Sequence, residues 1–219
     1  DHDDRPTDLL RADCRSARDI EPTVAVWGDS HAYAWAPFAW RLAEAAGTSA
    51  AGATMNNCAP SGLTTSGSTS DPPEPCAALN EQAMRWFESG RITTLVVALR
   101  WPWVEGSGDA LPAPVAQQLE ALDAALSRLE SLPRVLVMGP LPVLRRPAPT
   151  CISVGWEAQC AIPREEFARS SEASWRALLA LASRHPNVVL VDPTDYFCDD
   201  ARCPVVRHGF PLFWDGNHV

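Results

Sequence analysis

The chain has 219 residues, 46% of them hydrophobic and 21% charged, which indicates a globular protein rather than a disordered chain or a coiled coil. One domain is expected at this length, covering residues 1–219, with residues 1–22 as an N-terminal extension or linker from a longer protein. The longest apolar run, residues 177–182, is far shorter than the roughly 18 to 20 residues that span a membrane. The net charge is −9 and there is no run of basic residues, which disfavours nucleic acid as a partner.

Five short runs of apolar and branched residues predict β-strands, since each run is bounded by Pro, Gly or polar residues. They cover residues 23–27, 48–54, 95–99, 135–138 and 188–191. Helical patterns lie between them: one from Ser30 to about Ala46, and two with an apolar stripe, around residues 115–129 and 167–182. This alternation predicts an α/β sandwich built on a mostly parallel sheet.

The seven cysteines contain no C-x-x-C pair, so zinc or a thioredoxin-like redox site is not indicated. Three pairs flank loop-like stretches and predict local disulfides, namely Cys58–Cys76, Cys151–Cys160 and Cys198–Cys203. Buried free thiols are the alternative. The disulfides would imply an oxidising compartment, and Cys14 would then find its partner upstream of this chain.

Ser30 follows the first predicted strand, at the start of a helix. In an open parallel sheet, sites gather at the carboxyl ends of the strands, and the free N–H groups of a helix start stabilise a developing oxyanion. Ser30 is therefore a candidate nucleophile. The alternative is that Ser30 or Asp29 only caps the helix.

Asp215 and His218 form a D-x-x-H pattern near the end of the chain. Residues three apart in a turn share one face, so Asp215 can orient one imidazole nitrogen while the other faces a serine. A solvated surface pair is the alternative reading. His31 and His208 compete for the role of base, but His31 is expected to pack or line the cleft, and His208 has no acidic partner at useful spacing.

Together the blocks Trp27-Gly28-Asp29-Ser30-His31-Ala32 and Asp215-Gly216-Asn217-His218 resemble the first and last blocks of the SGNH or GDSL-like hydrolases. More narrowly, an Asn57-Cys58-Ala59-Pro60 loop, Arg100-Trp101 and the Cys198–Pro204 segment make the chain similar to the SGNH domain fused to membrane acyltransferases of the acyltransferase-three type. The resemblance covers nearly the whole chain.

This resemblance implies a three-layer, flavodoxin-like α/β/α fold with about five parallel strands, and a periplasmic or extracellular location with a membrane tether. Ser30 would be the nucleophile, His218 the base and Asp215 its orienter, with no metal and no cofactor. The domain would transfer an acetyl group through an acyl-serine to a hydroxyl of a bacterial surface polysaccharide, with the acyl donor supplied by a membrane domain. An esterase or deacetylase of O-acylated glycan, and an inactive glycan-binding module, are the alternatives.

The family's usual second-block Gly and third-block Asn have no clean counterparts here. The expected oxyanion donors are the backbone N–H groups of Ser30 and Asn57, with charge from Arg100, for which a structural salt bridge is the alternative. Candidate substrate-binding residues lie in predicted loops: Trp101, Trp103, Trp156, Trp214, Arg145 and Arg146. The indole rings would stack on sugars or pin their own loops, and the two arginines would bind an acidic sugar or remain solvated.

Overall fold

The computed structural model describes residues 16–17, 19–60, 74–101, 111 and 113–219. The strands in chain order are β1 (Pro22–Gly28), β2 (Ser49–Thr54), β3 (Thr94–Ala98), β4 (Arg134–Met138), β5 (Ile162–Pro163), β6 (Val188–Val191), β7 (Arg202–Cys203), β8 (Val206–Arg207) and β9 (Phe210–Pro211). The helices are α1 (Ser30–Ala34), α2 (Ala36–Ala45), α3 (Glu74–Glu88), α4 (Ala113–Arg128), α5 (Ala148–Ser153), α6 (Glu157–Cys160), α7 (Arg164–Ala182) and α8 (Thr194–Phe197). None of the described helices is long and apolar enough to span a membrane.

The main sheet has five parallel strands in the order β2-β1-β3-β4-β6. If only these five strands are counted along the chain, the order is 2-1-3-4-5, which is that of flavodoxin-like doubly wound folds. In this order the direction of winding reverses between β1 and β3, and ligands bind such sheets beside the carboxyl ends of those two strands. The predicted three-layer α/β/α fold with five parallel strands is confirmed.

Apolar side chains fill both faces of this sheet. Successive residues of β3 point to opposite faces, so Val96 packs with α2 residues Ala39 and Ala43, whereas Leu95 and Val97 join the core under α3, α4 and α7. A strand buried on both faces has no polar position, which is why these strands appear in the sequence as continuous apolar runs.

The helix predicted from Ser30 to about Ala46 is two helices, α1 and α2, separated at Trp35. Pro37 stands in the first turn of α2. Proline has no N–H to donate to the preceding turn, but its φ suits the start of a helix. The single-helix prediction is therefore wrong at Trp35, where α1 ends and α2 begins.

The structure also contains a helix that the sequence analysis did not predict, α3, whose residues Leu79, Ala83 and Phe87 cover one face of the sheet. Residues 139–160, which lie outside the predicted elements, contain the short helices α5 and α6.

The three predicted disulfides, Cys58–Cys76, Cys151–Cys160 and Cys198–Cys203, are all present. The last two belong to a second hydrophobic cluster at the carboxyl end of the chain, which also contains Leu144, Ala148, Ile162, Phe167, Phe197, Val205 and Phe213. This second core supports the segment that carries Asp215 and His218. Cys14 lies outside the described residues.

Candidate active site

The candidate site lies where β1 ends and α1 begins, at the reversal point of the sheet. Gly28 is the last residue of β1 and has a φ of +147°, and a Cβ at this position would lie 1.9 Å from the backbone oxygen of Ala98 in β3. Only glycine allows the two strands to approach this closely. The close approach brings the start of α1 next to the carboxyl end of β3.

Asp29 is the residue that caps α1. It is 1% exposed, and its Oδ1 accepts the backbone N–H of His31 at 2.8 Å, while its Oδ2 accepts the N–H of Arg100 at 2.9 Å. The capping alternative therefore applies to Asp29. Ser30 is the first residue of the helix, and its hydroxyl contacts His218 instead of capping the helix.

The Ser30 hydroxyl lies 2.7 Å from Nε2 of His218, although the two residues are 188 positions apart in the sequence. Nδ1 of His218 lies 2.7 Å from Oδ2 of Asp215. An ionised carboxylate only accepts hydrogen bonds, so Nδ1 carries the proton and Nε2 accepts the Ser30 O–H. The structure thus brings the three predicted residues into the hydrogen-bonded order serine, histidine, aspartate, an arrangement suited to nucleophilic acyl transfer.

Asp215 is held as an anion. Burial acts to raise the pKa of its carboxyl, but the backbone N–H of Asn217 at 2.8 Å, the His218 side chain and the His218 N–H at 2.9 Å outweigh it and lower the pKa to about 2. Asp215 is therefore charged at neutral pH.

The turn that carries Asp215 is hydrogen-bonded to the loop between β4 and α5 and to the first residue of α5. The N–H of Leu144 donates to the carbonyl of Gly216 at 2.6 Å, and the N–H of Ala148 donates to that of Asp215 at 2.9 Å. Leu144 and Ala148 are buried in the second core. A structured hydrophobic core thus fixes the Asp215 and His218 side chains relative to the main sheet.

The predicted oxyanion donors lie in two elements that meet at the carboxyl edge of β1 and β2. Ser30 is at the N-terminus of α1, where first-turn N–H groups lack helical partners, and Asn57 sits in the turn after β2 with a φ of +58°. Within the described part of the chain, no acceptor takes the N–H of either residue. Both N–H groups are therefore available to a ligand.

Asn80 in α3 holds the Asn57 turn in place, and the sequence analysis missed this residue. Its Nδ2 donates to the carbonyl of Ala59 at 2.8 Å and its Oδ1 accepts the indole N–H of Trp27 at 2.7 Å, all buried. The disulfide Cys58–Cys76 closes the same segment. An Asn on the apolar face of an amphipathic helix is a sequence signal for such a role. It was missed because α3 itself was not predicted.

The arginines differ in their surroundings. Arg100 is exposed at the end of β3 and forms no ion pair with any residue that the structure describes, so the salt-bridge alternative has no support there. Arg145 makes two hydrogen bonds to the carboxylate of Glu166, at 2.7 and 2.8 Å. The guanidinium of Arg146 lies over the ring of Trp156, 5.4 Å from its centroid.

The loop tryptophans fall into two groups. Trp101 is 6% exposed and its indole N–H donates to the carbonyl of Met138 at 2.7 Å, so in this structure the ring pins its own loop and offers little surface to a sugar. Trp156 and Trp214 are 45% and 71% exposed and remain candidate sugar contacts. Trp103 lies outside the described residues.

The two competing histidines are not hydrogen-bonded to Ser30. His208 is exposed, in the hairpin of β8 and β9. His31 is 4% exposed and packs beside His218, as expected from its place after Ser30. No cluster of three or more potential metal ligands occurs among the described residues.

One protein family and one solved structure resemble this chain. A family described as "SGNH domain (fused to AT3 domains)" matches residues 1–219. The solved periplasmic domain of a lipopolysaccharide acetyltransferase from Salmonella ser. Paratyphi A has the same fold, with a TM-score of 0.60 and 13% sequence identity over 92% of this chain and 78% of that one. No curated protein sequence matches significantly. The chain therefore belongs to the family of SGNH domains that are fused to AT3 domains.

Proposed function

We propose that this domain transfers an acetyl group to a hydroxyl of a bacterial surface polysaccharide through an acetyl-Ser30 intermediate. The observation that carries the proposal is the contact of Ser30 Oγ with Nε2 of His218 at 2.7 Å, in a histidine whose Nδ1 faces a charged Asp215. The family and the lipopolysaccharide acetyltransferase whose fold the chain shares support the acyl-transfer class and a periplasmic setting.

In the first half-reaction, Ser30 Oγ attacks the acetyl carbonyl and His218 Nε2 takes the hydroxyl proton. The N–H groups of Ser30 and Asn57 face the oxyanion, and the charge of Arg100 adds to their field. The leaving group departs with the proton from His218, and acetyl-Ser30 remains. A membrane acyltransferase domain of the fused protein supplies the acetyl donor.

In the second half-reaction, a glycan hydroxyl takes the place of the leaving group. It gives its proton to His218 as its oxygen attacks the acetyl carbonyl, and the proton returns to Ser30 Oγ when the acyl-enzyme bond breaks. Attack by water through the same steps would make the domain an esterase. The exposed rings of Trp156 and Trp214 are candidate platforms for the glycan, since flat apolar rings stack on sugar faces.

The proposal is tested by incubating the 219-residue chain with p-nitrophenyl acetate, followed by intact mass and peptide mapping. We expect one acetyl group on Ser30, none in Ser30→Ala, and unchanged labelling in Ser127→Ala, whose exposed hydroxyl only bonds the carbonyl of Asp123. Full activity of Ser30→Ala would refute the proposal.

The acceptor of the acetyl group distinguishes transfer to a glycan from hydrolysis by water. We expect acetyl-Ser30 to be discharged faster in the presence of a surface polysaccharide than in buffer, with the acetyl group recovered on the glycan. Equal discharge with and without glycan would instead identify an esterase. Absence of labelling together with measurable glycan binding would identify a binding module.

A further inference from the structure

His31 is a buried histidine that the proposed acyl-transfer steps do not use. It is the second residue of α1, directly after Ser30, and is 4% exposed. Its ring lies against the ring of His218, with centroids 4.6 Å apart and planes at 40°. His31 thus contacts the side of the imidazole that is free of hydrogen bonds, while Ser30 and Asp215 hold its two nitrogens.

Asp29 lies beside the His31 ring and binds the His31 backbone. Oδ1 of Asp29 accepts the backbone N–H of His31 at 2.8 Å and lies 3.5 Å from its Nδ1. That nitrogen is buried and has no hydrogen-bond partner among the described residues. A buried polar atom without a partner costs free energy, so core packing alone would favour an apolar side chain at this position.

The His31 ring can act on His218 when His218 is protonated during the reaction. When His218 takes the proton of Ser30, its imidazole becomes a cation in a partly buried site. An aromatic face within about 6 Å attracts a cation, and the centroid of the His31 ring lies 4.6 Å from that of His218. The same contact limits rotation of the His218 ring away from Ser30.

We propose that His31 is a positioning residue for the proposed base: its ring face holds the His218 imidazole towards Ser30 and stabilises its protonated form. This inference rests on the proposed function. It predicts an effect on the chemical step, since the contact is with His218 and strengthens when that ring is charged.

Three variants separate the ring from its polar atoms. His31→Phe keeps an aromatic face, His31→Asn keeps a polar group near the position of Nδ1, and His31→Ala removes both. His208→Asn is the matched control, because His208 is an exposed histidine outside the site with a φ of +52°, which Asn tolerates. Hydrolysis of p-nitrophenyl acetate by the 219-residue chain is measured per active site, with active sites counted by acetylation of Ser30.

We expect kcat to fall about tenfold in His31→Ala and His31→Asn with KM nearly unchanged. His31→Phe should recover most of the loss, and His208→Asn should match the wild type. A purely structural role would lower the number of active sites and leave the rate per site unchanged, which would overturn the inference. Wild-type kcat in His31→Ala, or equal kcat in the Asn and Phe variants, would also overturn it.

Ser30→Ala in the same assay separates the two proposals. Retained activity there would refute the acyl-serine mechanism itself. An inactive Ser30→Ala beside a fully active His31→Ala would refute only the role of His31. If His31→Ala does not fold, the comparison of the Phe and Asn variants still decides the question.

Discussion

Replacement of Asp215 by Asn tests whether this residue sets the proton position on His218. The Asn side-chain oxygen can still accept the N–H groups of Asn217 and His218, which now donate to Oδ1 at 2.8 and 2.9 Å. The amide NH2 then stands where Oδ2 is now, 2.7 Å from Nδ1 of His218. Two N–H donors cannot face each other at this distance, so the imidazole must carry its proton on Nε2 instead.

With the proton on Nε2, His218 presents an N–H to the Ser30 hydroxyl and cannot take its proton. In serine hydrolases with this arrangement, the same change lowers kcat by about 10⁴, which corresponds to about 5.4 kcal/mol of transition-state stabilisation. We expect a loss of this size here. The wild-type carboxyl has a pKa of about 2, so the orienting charge is present throughout the pH range of the assay.

The assay is single-turnover acetylation of Ser30 by p-nitrophenyl acetate, with urea unfolding as a check of the fold. Asp192→Asn is the matched control, since exposed Asp192 also accepts a backbone N–H, that of Thr194 at 2.9 Å, away from the site. We expect the control to acetylate at the wild-type rate. An acetylation rate in Asp215→Asn within tenfold of wild type would refute the assignment of Asp215 as the orienting residue.

Two further substitutions test residues that position the elements around the site. Asn80→Ala leaves the buried indole N–H of Trp27 and the carbonyl of Ala59 without partners. At about 1 to 3 kcal/mol for each group, the free energy of unfolding in urea should fall by about 2 to 6 kcal/mol. A loss below about 1 kcal/mol would contradict this. Gly28→Ala places a methyl group 1.9 Å from the backbone oxygen of Ala98, at a φ that disfavours alanine. We expect at least about 3 kcal/mol of destabilisation, and a thermal midpoint equal to that of the wild type would refute the close strand approach.

Local sequence patterns were sufficient where neighbouring residues decide the structure. The five main strands were predicted to within one residue at each end because the central strands are covered on both faces and are apolar at nearly every position. The disulfides were predicted because each pair closes a short loop, with separations of 18, 9 and 5 residues.

Predictions failed where a local signal was read too simply or was overlooked. The apolar pattern continues through Trp35, but the missing N–H of Pro37 ends α1 and starts α2. The run that forms α3 contains the buried Asn80, whose partners Trp27 and Ala59 lie in other elements. Trp101 was a candidate sugar contact in a loop, yet its ring is buried and its indole N–H donates to the carbonyl of Met138.

The sequence by itself therefore determined the fold class, the disulfide pairs and the two motifs that carry the candidate site. The tertiary structure alone decided that Ser30 and His218 meet at 2.7 Å, that the indole of Trp101 is buried and that His31 packs on His218. The physical reason is that local conformation depends on neighbours in the chain, whereas contacts across 188 residues depend on how the parallel sheet and the second hydrophobic core pack together.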